Sequence, residues 1–88
     1  MNKILVITTE GCEACTIANN NVDIAILQTR IDIEKDTKDF SLVSRTLLMA
    51  QKIEDFPTVL YFINDKVVHK AIGTYPSAVY LRWIDMYF

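Results

Sequence analysis

Cys12 and Cys15, the chain's only cysteines, stand three residues apart in the stretch TTEGCEACTI, Thr8 to Ile17. That separation is about one helical turn, close enough for the sulfurs to bridge. Three chemistries suit such a pair: thiol–disulfide exchange, half of a metal site, or none, as two small core residues. A helix beginning near Cys12 would set that sulfur against unpaired N–H groups and the positive end of the helix dipole. A thiolate is stabilised there, and the thiolate is the nucleophile in exchange. Cys15, one turn further in, is expected to be less exposed. The pair is then asymmetric: Cys12 attacks a substrate disulfide and Cys15 resolves the mixed disulfide. Gly11 leaves the approach to Cys12 open. Glu13 between the cysteines, with Glu10 nearby, places negative charge where a thiolate would form and works against the dipole. The Cys12 pKa is therefore expected to be only moderately depressed, which favours the disulfide and makes the reduced protein a reductant.

The competing chemistries have less to draw on. A zinc site of four ligands would need His69, the single histidine, and an Asp or Glu beside the two sulfurs. His69 falls on an expected strand far along the chain, and nothing pairs it with a cysteine as a catalytic base. Buried, inert cysteines fit poorly with a glycine-preceded turn after a buried strand, where side chains reach the surface. Composition narrows the setting. The chain has 88 residues, 51% of them hydrophobic and 10% aromatic, so a single domain over 1–88 with one core is expected. A net charge of −2 without runs of one sign argues against a nucleic-acid partner. No apolar run approaches the roughly 20 residues of a membrane span. Ile4 to Ile7 is too short for a secretory core and has no small-residue cleavage site behind it. A cytoplasmic setting is expected, and there a close cysteine pair is more often catalytic or metal-binding than structural.

The elements that must position the pair follow from periodicity. Lys3 to Thr8, KILVIT, reads as a buried strand. Thr9-Glu10-Gly11 is a turn, and a helix is predicted from Cys12 or Glu13 with Ala14, Ile17 and Ala18 on one face. Asn19-Asn20-Asn21 is a poor helical run, although Val22, Ile24, Ala25 and Ile26 can continue the pattern, so the end of that helix stays open. Thr29 to Glu34, TRIDIE, alternates and predicts a second strand. Asp36-Thr37 offers an N-cap for a helix carrying Phe40, Val43, Leu47 and Ala50. Asp55-Phe56-Pro57 breaks it. Thr58 to Ile63 and Lys66 to Ala71 form a β-hairpin about Asn64-Asp65. Gly73-Thr74 ends the hairpin, and Pro76 fits the first turn of a last helix whose Tyr80, Trp83, Ile84, Tyr87 and Phe88 share a face. The order is β-α-β-α-β-β-α, an α/β arrangement with a mixed four-stranded sheet flanked by three helices.

A buried first strand, then Cys12-Glu13-Ala14-Cys15 opening a helix, then Phe56-Pro57-Thr58 starting a strand, then Gly73 before the final helix, resembles the thioredoxin/glutaredoxin superfamily over nearly the whole chain. The compact layout looks most like a small glutaredoxin-like thioredoxin. The resemblance implies a thioredoxin-like fold and a cis peptide before Pro57 facing the cysteines. It also implies that Phe56 offers backbone groups to an extended substrate peptide, a form of strand addition. Gly11, Glu13, Ala14, Phe56, Pro57, Thr58 and Gly73 are the expected substrate-contacting residues. The implied activity is reduction of protein disulfides by a monomer through a redox-active Cys12–Cys15 disulfide, with no metal or other cofactor. Its electrons would come from a flavin-dependent thioredoxin reductase. The alternatives are a glutathione-dependent glutaredoxin and a non-enzymatic binding module docking through the Phe56–Pro57 edge.

The chain departs from the family pattern in several places. Glu-Ala replaces the Gly-Pro of thioredoxins and the Pro-Tyr of glutaredoxins, and no Trp precedes Cys12. Val6 occupies the position of the buried acid of thioredoxins, so resolution would rely on water or another group such as Glu13. Gly73-Thr74-Tyr75-Pro76-Ser77 replaces the Gly-Gly-acidic motif that holds glutathione, which favours a protein substrate over glutathione.

Overall fold

The computed structural model describes Met1–Phe88. Strand β1 (Asn2–Thr8) leads into helix α1 (Glu13–Gln28), then strand β2 (Glu34–Asp39), a 3-10 turn (Phe40–Leu42) and helix α2 (Arg45–Ala50). The hairpin of β3 (Thr58–Ile63) and β4 (Lys66–Ile72) follows, and helix α3 (Ser77–Tyr87) comes last. The four strands lie in the order β2-β1-β3-β4. β1 pairs in parallel with β2 and antiparallel with β3. Asn64 and Asp65 turn the hairpin with φ 48 and φ 67, the left-handed pair that a two-residue connection between twisted strands needs.

Alternation along β1 supplies both faces of the sheet. Ile4 and Val6 point into a core with Val59 and Tyr61 of β3, the α1 residues Ala18, Val22 and Ala25, and Tyr80 and Ile84 of α3. Leu5 and Ile7 point the other way, with Leu60, against Val43, Leu47 and Phe56. Ile4 to Ile7 is apolar without a break because both faces of the strand are covered. None of the helices is long and apolar enough to cross a membrane.

Three expectations need correction. The second strand is Glu34–Asp39 and not Thr29–Glu34. It lies at the sheet edge, where no apolar alternation is required, while Ile31 and Ile33 pack against the core from the connection that precedes it. Asp36 and Thr37 are thus strand residues and cap no helix. The helix expected through Phe40 to Ala50 is divided: Asp39 caps the 3-10 turn through Ser41, and Ser44 starts α2 by accepting from the Leu47 N–H. The open end of α1 is settled by tertiary contacts. Asn21 Nδ2 donates to the Tyr75 carbonyl at 2.8 Å, and Val22 and Ala25 keep the buried face in phase, so the asparagine run stays helical.

His69 lies on β4 among rings. It stacks on Tyr87 at 4.6 Å, meets Trp83 at 4.6 Å and has Tyr61 edge-on at 5.4 Å. Its Nε2 is buried without a hydrogen-bond partner. Burial holds the imidazole below its ordinary value of 6.5, so the unfolded chain takes up the proton first as pH falls. The contribution of His69 to stability is therefore fully present well above pH 6.5 and is lost as pH falls through that value. Urea unfolding at pH 8 and pH 5 should show wild-type stability falling across this range, and His69→Phe, which keeps a ring but cannot titrate, should flatten the decline. Equal slopes in the two proteins would refute the assignment.

Candidate active site

β1 ends at Thr8, and the chain turns through Gly11 at φ 70. A Cβ there would meet nothing within 4 Å, so the backbone conformation, not space, asks for glycine. The turn delivers Cys12 as the N-cap of α1, with φ −97 and ψ 99. Its Sγ accepts the Cys15 N–H at 3.0 Å, the role a Ser or Asp oxygen usually fills. That N–H, with the dipole of a 16-residue helix behind it, is positioned to stabilise negative charge on Cys12. The two cysteines are joined as a disulfide with Cα atoms 5.2 Å apart. Cys12 is half-buried, whereas Cys15 is only 3% exposed. The lower exposure expected of Cys15 is present in the fold.

Three distant segments meet at this end of the sheet. Ile7 stands opposite Thr58, which puts the start of β3 beside the end of β1. The Phe56–Pro57 peptide is cis. The Pro57 carbonyl accepts the Gly73 N–H at 2.8 Å, and Thr74 Oγ1 donates to the Ala14 carbonyl at 2.9 Å. Gly73 and Thr74 thereby tie the proline loop to the cysteine turn. Thr58 is buried and its hydroxyl donates to the Asp55 carbonyl at 2.6 Å, so it holds the loop from within. Phe56 is half-buried and packs on Phe40, with ring centroids 5.2 Å apart. Gly11, Glu13, Ala14, Phe56, Pro57, Thr58 and Gly73 all lie at the end of the sheet that carries the disulfide.

Thr74 was not among the expected site residues; only its place after Gly73 pointed to the loop. A groove of about 650 Å³ beside the disulfide adds Thr8, Thr16, Asn19 and Thr37, also unflagged. Thr16 and Asn19 could have been found from helical spacing after Cys12 and Cys15. The surrounding charge is acidic. Glu10 and Glu13 are exposed, and Asp39 is held below the usual carboxylate range first by the Ser41 hydroxyl and then by the Ser41 N–H. Val6 is fully buried within the apolar core cluster. His69 stands in the aromatic cluster on β4, and no three His, Cys, Asp or Glu side chains converge as a metal site would require.

Neither a family model nor a curated protein sequence matches the chain. Solved structures do match it. A malaria parasite thioredoxin-2 aligns with TM-score 0.81 at 16% identity, over 98% of this chain and 82% of its own. A mutant thioredoxin from Halobacterium salinarum aligns with TM-score 0.80 at 19% identity, over 98% and 74%. A thioredoxin from Aeropyrum pernix aligns with TM-score 0.75 at 17% identity, over 99% and 75%. The chain has the thioredoxin fold, with its cysteine pair in Cys-x-x-Cys spacing.

Proposed function

We propose that the protein is a dithiol–disulfide oxidoreductase that reduces protein disulfides. The thioredoxin fold with a Cys-x-x-Cys pair supports a thiol oxidoreductase in general. The finer reading rests on one observation: Cys12 Sγ caps α1 and receives the Cys15 N–H, while Cys15 is buried one turn inside. In the reduced protein the Cys12 thiolate attacks one sulfur of a substrate disulfide, and the other sulfur leaves as a thiolate and is protonated. Cys15 then attacks Cys12 Sγ, which releases the second substrate sulfur and closes the Cys12–Cys15 disulfide. Two electrons pass to the substrate. Backbone groups of Phe56 beside Pro57 would align the substrate strand. No cofactor beyond the disulfide is invoked. A flavin-dependent reductase is the proposed electron source, in a reducing compartment such as the cytoplasm.

Equilibration in graded dithiothreitol, quenched by alkylation and read by mass, tests this. A reversible two-electron transition close to the about −270 mV of thioredoxin is expected, rather than the about −200 to −230 mV of glutaredoxins. Glu13→Gln should raise the potential by roughly 5–20 mV, because removing a surface negative charge near the helix start favours the thiolate. Absence of any intramolecular disulfide would end the redox reading. Turnover with glutathione and none with a flavin reductase would assign the glutaredoxin alternative.

A further inference from the structure

The groove beside the disulfide contains a side chain that the exchange steps have not yet used. Asn19 follows Cys15 by four residues on α1, so the two share a helix face. Helical side chains lean toward the N-terminus, which brings Asn19 back over the turn carrying Cys15 and Thr16; all three line the groove. The amide is oriented from β2. Its Oδ1 accepts from the Lys35 ammonium and, at 2.7 Å, from the Thr37 hydroxyl. An ammonium can only donate, so the atom against it is the oxygen. Lys35 is itself fixed by an ion pair with Asp23 at 2.8 Å. Asn19 Nδ2 is left as a donor without an acceptor in the chain, and it is not a buried orphan; that condition belongs to His69 Nε2 alone. Thr37 pairs across the sheet with Val6, which is apolar and offers the cysteines no proton-carrying group.

We infer that Asn19, oriented by Lys35 and Thr37, is the hydrogen-bond donor that stabilises the Cys15 thiolate during resolution. The inference rests on the dithiol reading above. In the mixed disulfide, Cys15 gives its proton to water in the groove, and Asn19 Nδ2–H donates to the resulting thiolate. That thiolate forms the bond to Cys12 Sγ. The bond from Cys12 to the substrate breaks, its electron pair leaves on the substrate sulfur, and that sulfur takes a proton from water. Glu13 lines the groove and Glu10 lies in the turn before Cys12; β2 brings Lys35, ion-paired with Asp23, and Asp39, whose carboxylate is held by Ser41; β1 brings the uncharged Thr8. No side chain, Asn19 included, hydrogen-bonds the Cys15 sulfur while it is held in the disulfide, so the Asn19 contact belongs to the mixed-disulfide state in which that sulfur is released.

The test uses the Cys12→Ser protein, in which Cys15 is the single thiol. Its thiolate absorbance is followed against pH, with the Cys12→Ser/Cys15→Ser protein as blank. Asn19→Leu removes the donor, whereas Asn19→Asp removes it but keeps acceptors for Lys35 and Thr37. Both should raise the Cys15 midpoint by about 1 unit. With Cys12 present, Asn19→Leu and Asn19→Asp should both slow release of the second substrate thiol about threefold relative to the first attack at neutral pH, an about tenfold loss of thiolate partly offset by the greater nucleophilicity of the more basic sulfur. An unchanged midpoint in Asn19→Leu overturns the inference even if Asn19→Asp shifts, because a carboxylate beside the sulfur raises its midpoint by charge alone; a shift in Asn19→Leu alone overturns it too, since it would reflect altered packing. Failure of the wild-type protein to open any disulfide would sink the dithiol reading instead, and the midpoint measurement does not depend on that outcome.

Discussion

Cys12→Ser should reduce disulfide exchange to the uncatalysed rate, whereas Cys15→Ser should leave the first attack intact and accumulate the substrate as a mixed disulfide. The two outcomes differ because the sulfurs stand in different surroundings. Cys12 is half-buried at the start of α1 and accepts the Cys15 N–H at 3.0 Å, so its thiolate has both access and a fixed donor. Serine offers an oxygen that caps the helix equally well, so loss of activity in Cys12→Ser cannot be charged to loss of α1. Cys15 is 3% exposed and reaches no substrate disulfide directly. Its replacement leaves the substrate attached to Cys12 until added thiol frees it. Mass spectrometry of each variant after incubation with a disulfide-bonded test protein reads the result. A trapped adduct on Cys15 in the Cys12→Ser protein would reverse the assignment.

Tyr80→Ala should cost about 3–5 kcal/mol of stability. For 88 residues the whole stability is expected to be about 4–13 kcal/mol. The variant should therefore unfold at a much lower urea concentration and lie near the limit of folding. Tyr80 is fully buried in the main core, beside Ile84 of α3 and Tyr61 of β3. Its carbonyl accepts the Tyr61 hydroxyl at 3.1 Å, a backbone bond that survives substitution. Its own hydroxyl accepts the Tyr75 N–H at 3.3 Å and donates to the Gly73 carbonyl at 3.4 Å, which anchors the loop over the cysteine turn. Tyr80→Phe separates the two contributions. It keeps the ring and loses only those long hydrogen bonds, at about 0.5–1.5 kcal/mol. Equal losses in both variants would mean that the ring contributes little, contrary to its burial.

Legibility in the sequence followed the physics of each segment. β1 and the β3–β4 hairpin were readable because a buried strand must be apolar and a two-residue turn needs Asn-Asp-type residues. β2 was misplaced because an edge strand faces no such demand, while Ile31 and Ile33 imitated alternation from a connection. The division of Phe40 to Ala50 hinged on Ser44, one capping hydroxyl within an otherwise helical apolar pattern. Asn19 to Asn21 reads as a helix breaker by propensity, and only partners on β2 and at Tyr75 show why it is not. For the site, the cysteines and the proline were visible as motifs. The tie from Thr74 to Ala14 and the orientation of Asn19 were not, since each depends on chain pairing that no local pattern encodes.

The Thr74–Ala14 bond spans 60 residues. Bringing such distant segments together costs loop-closure entropy that only the finished fold repays. Both cysteines are made within the first fifth of the chain, yet their turn is braced by a loop from the last fifth. A ribosome-bound chain that has not yet exposed residue 74 therefore carries both thiols without their brace. The exchange proposed for this site would in this sense depend on the segment through Thr74, and truncation before Gly73 should silence the site while leaving every residue of the cysteine motif in place.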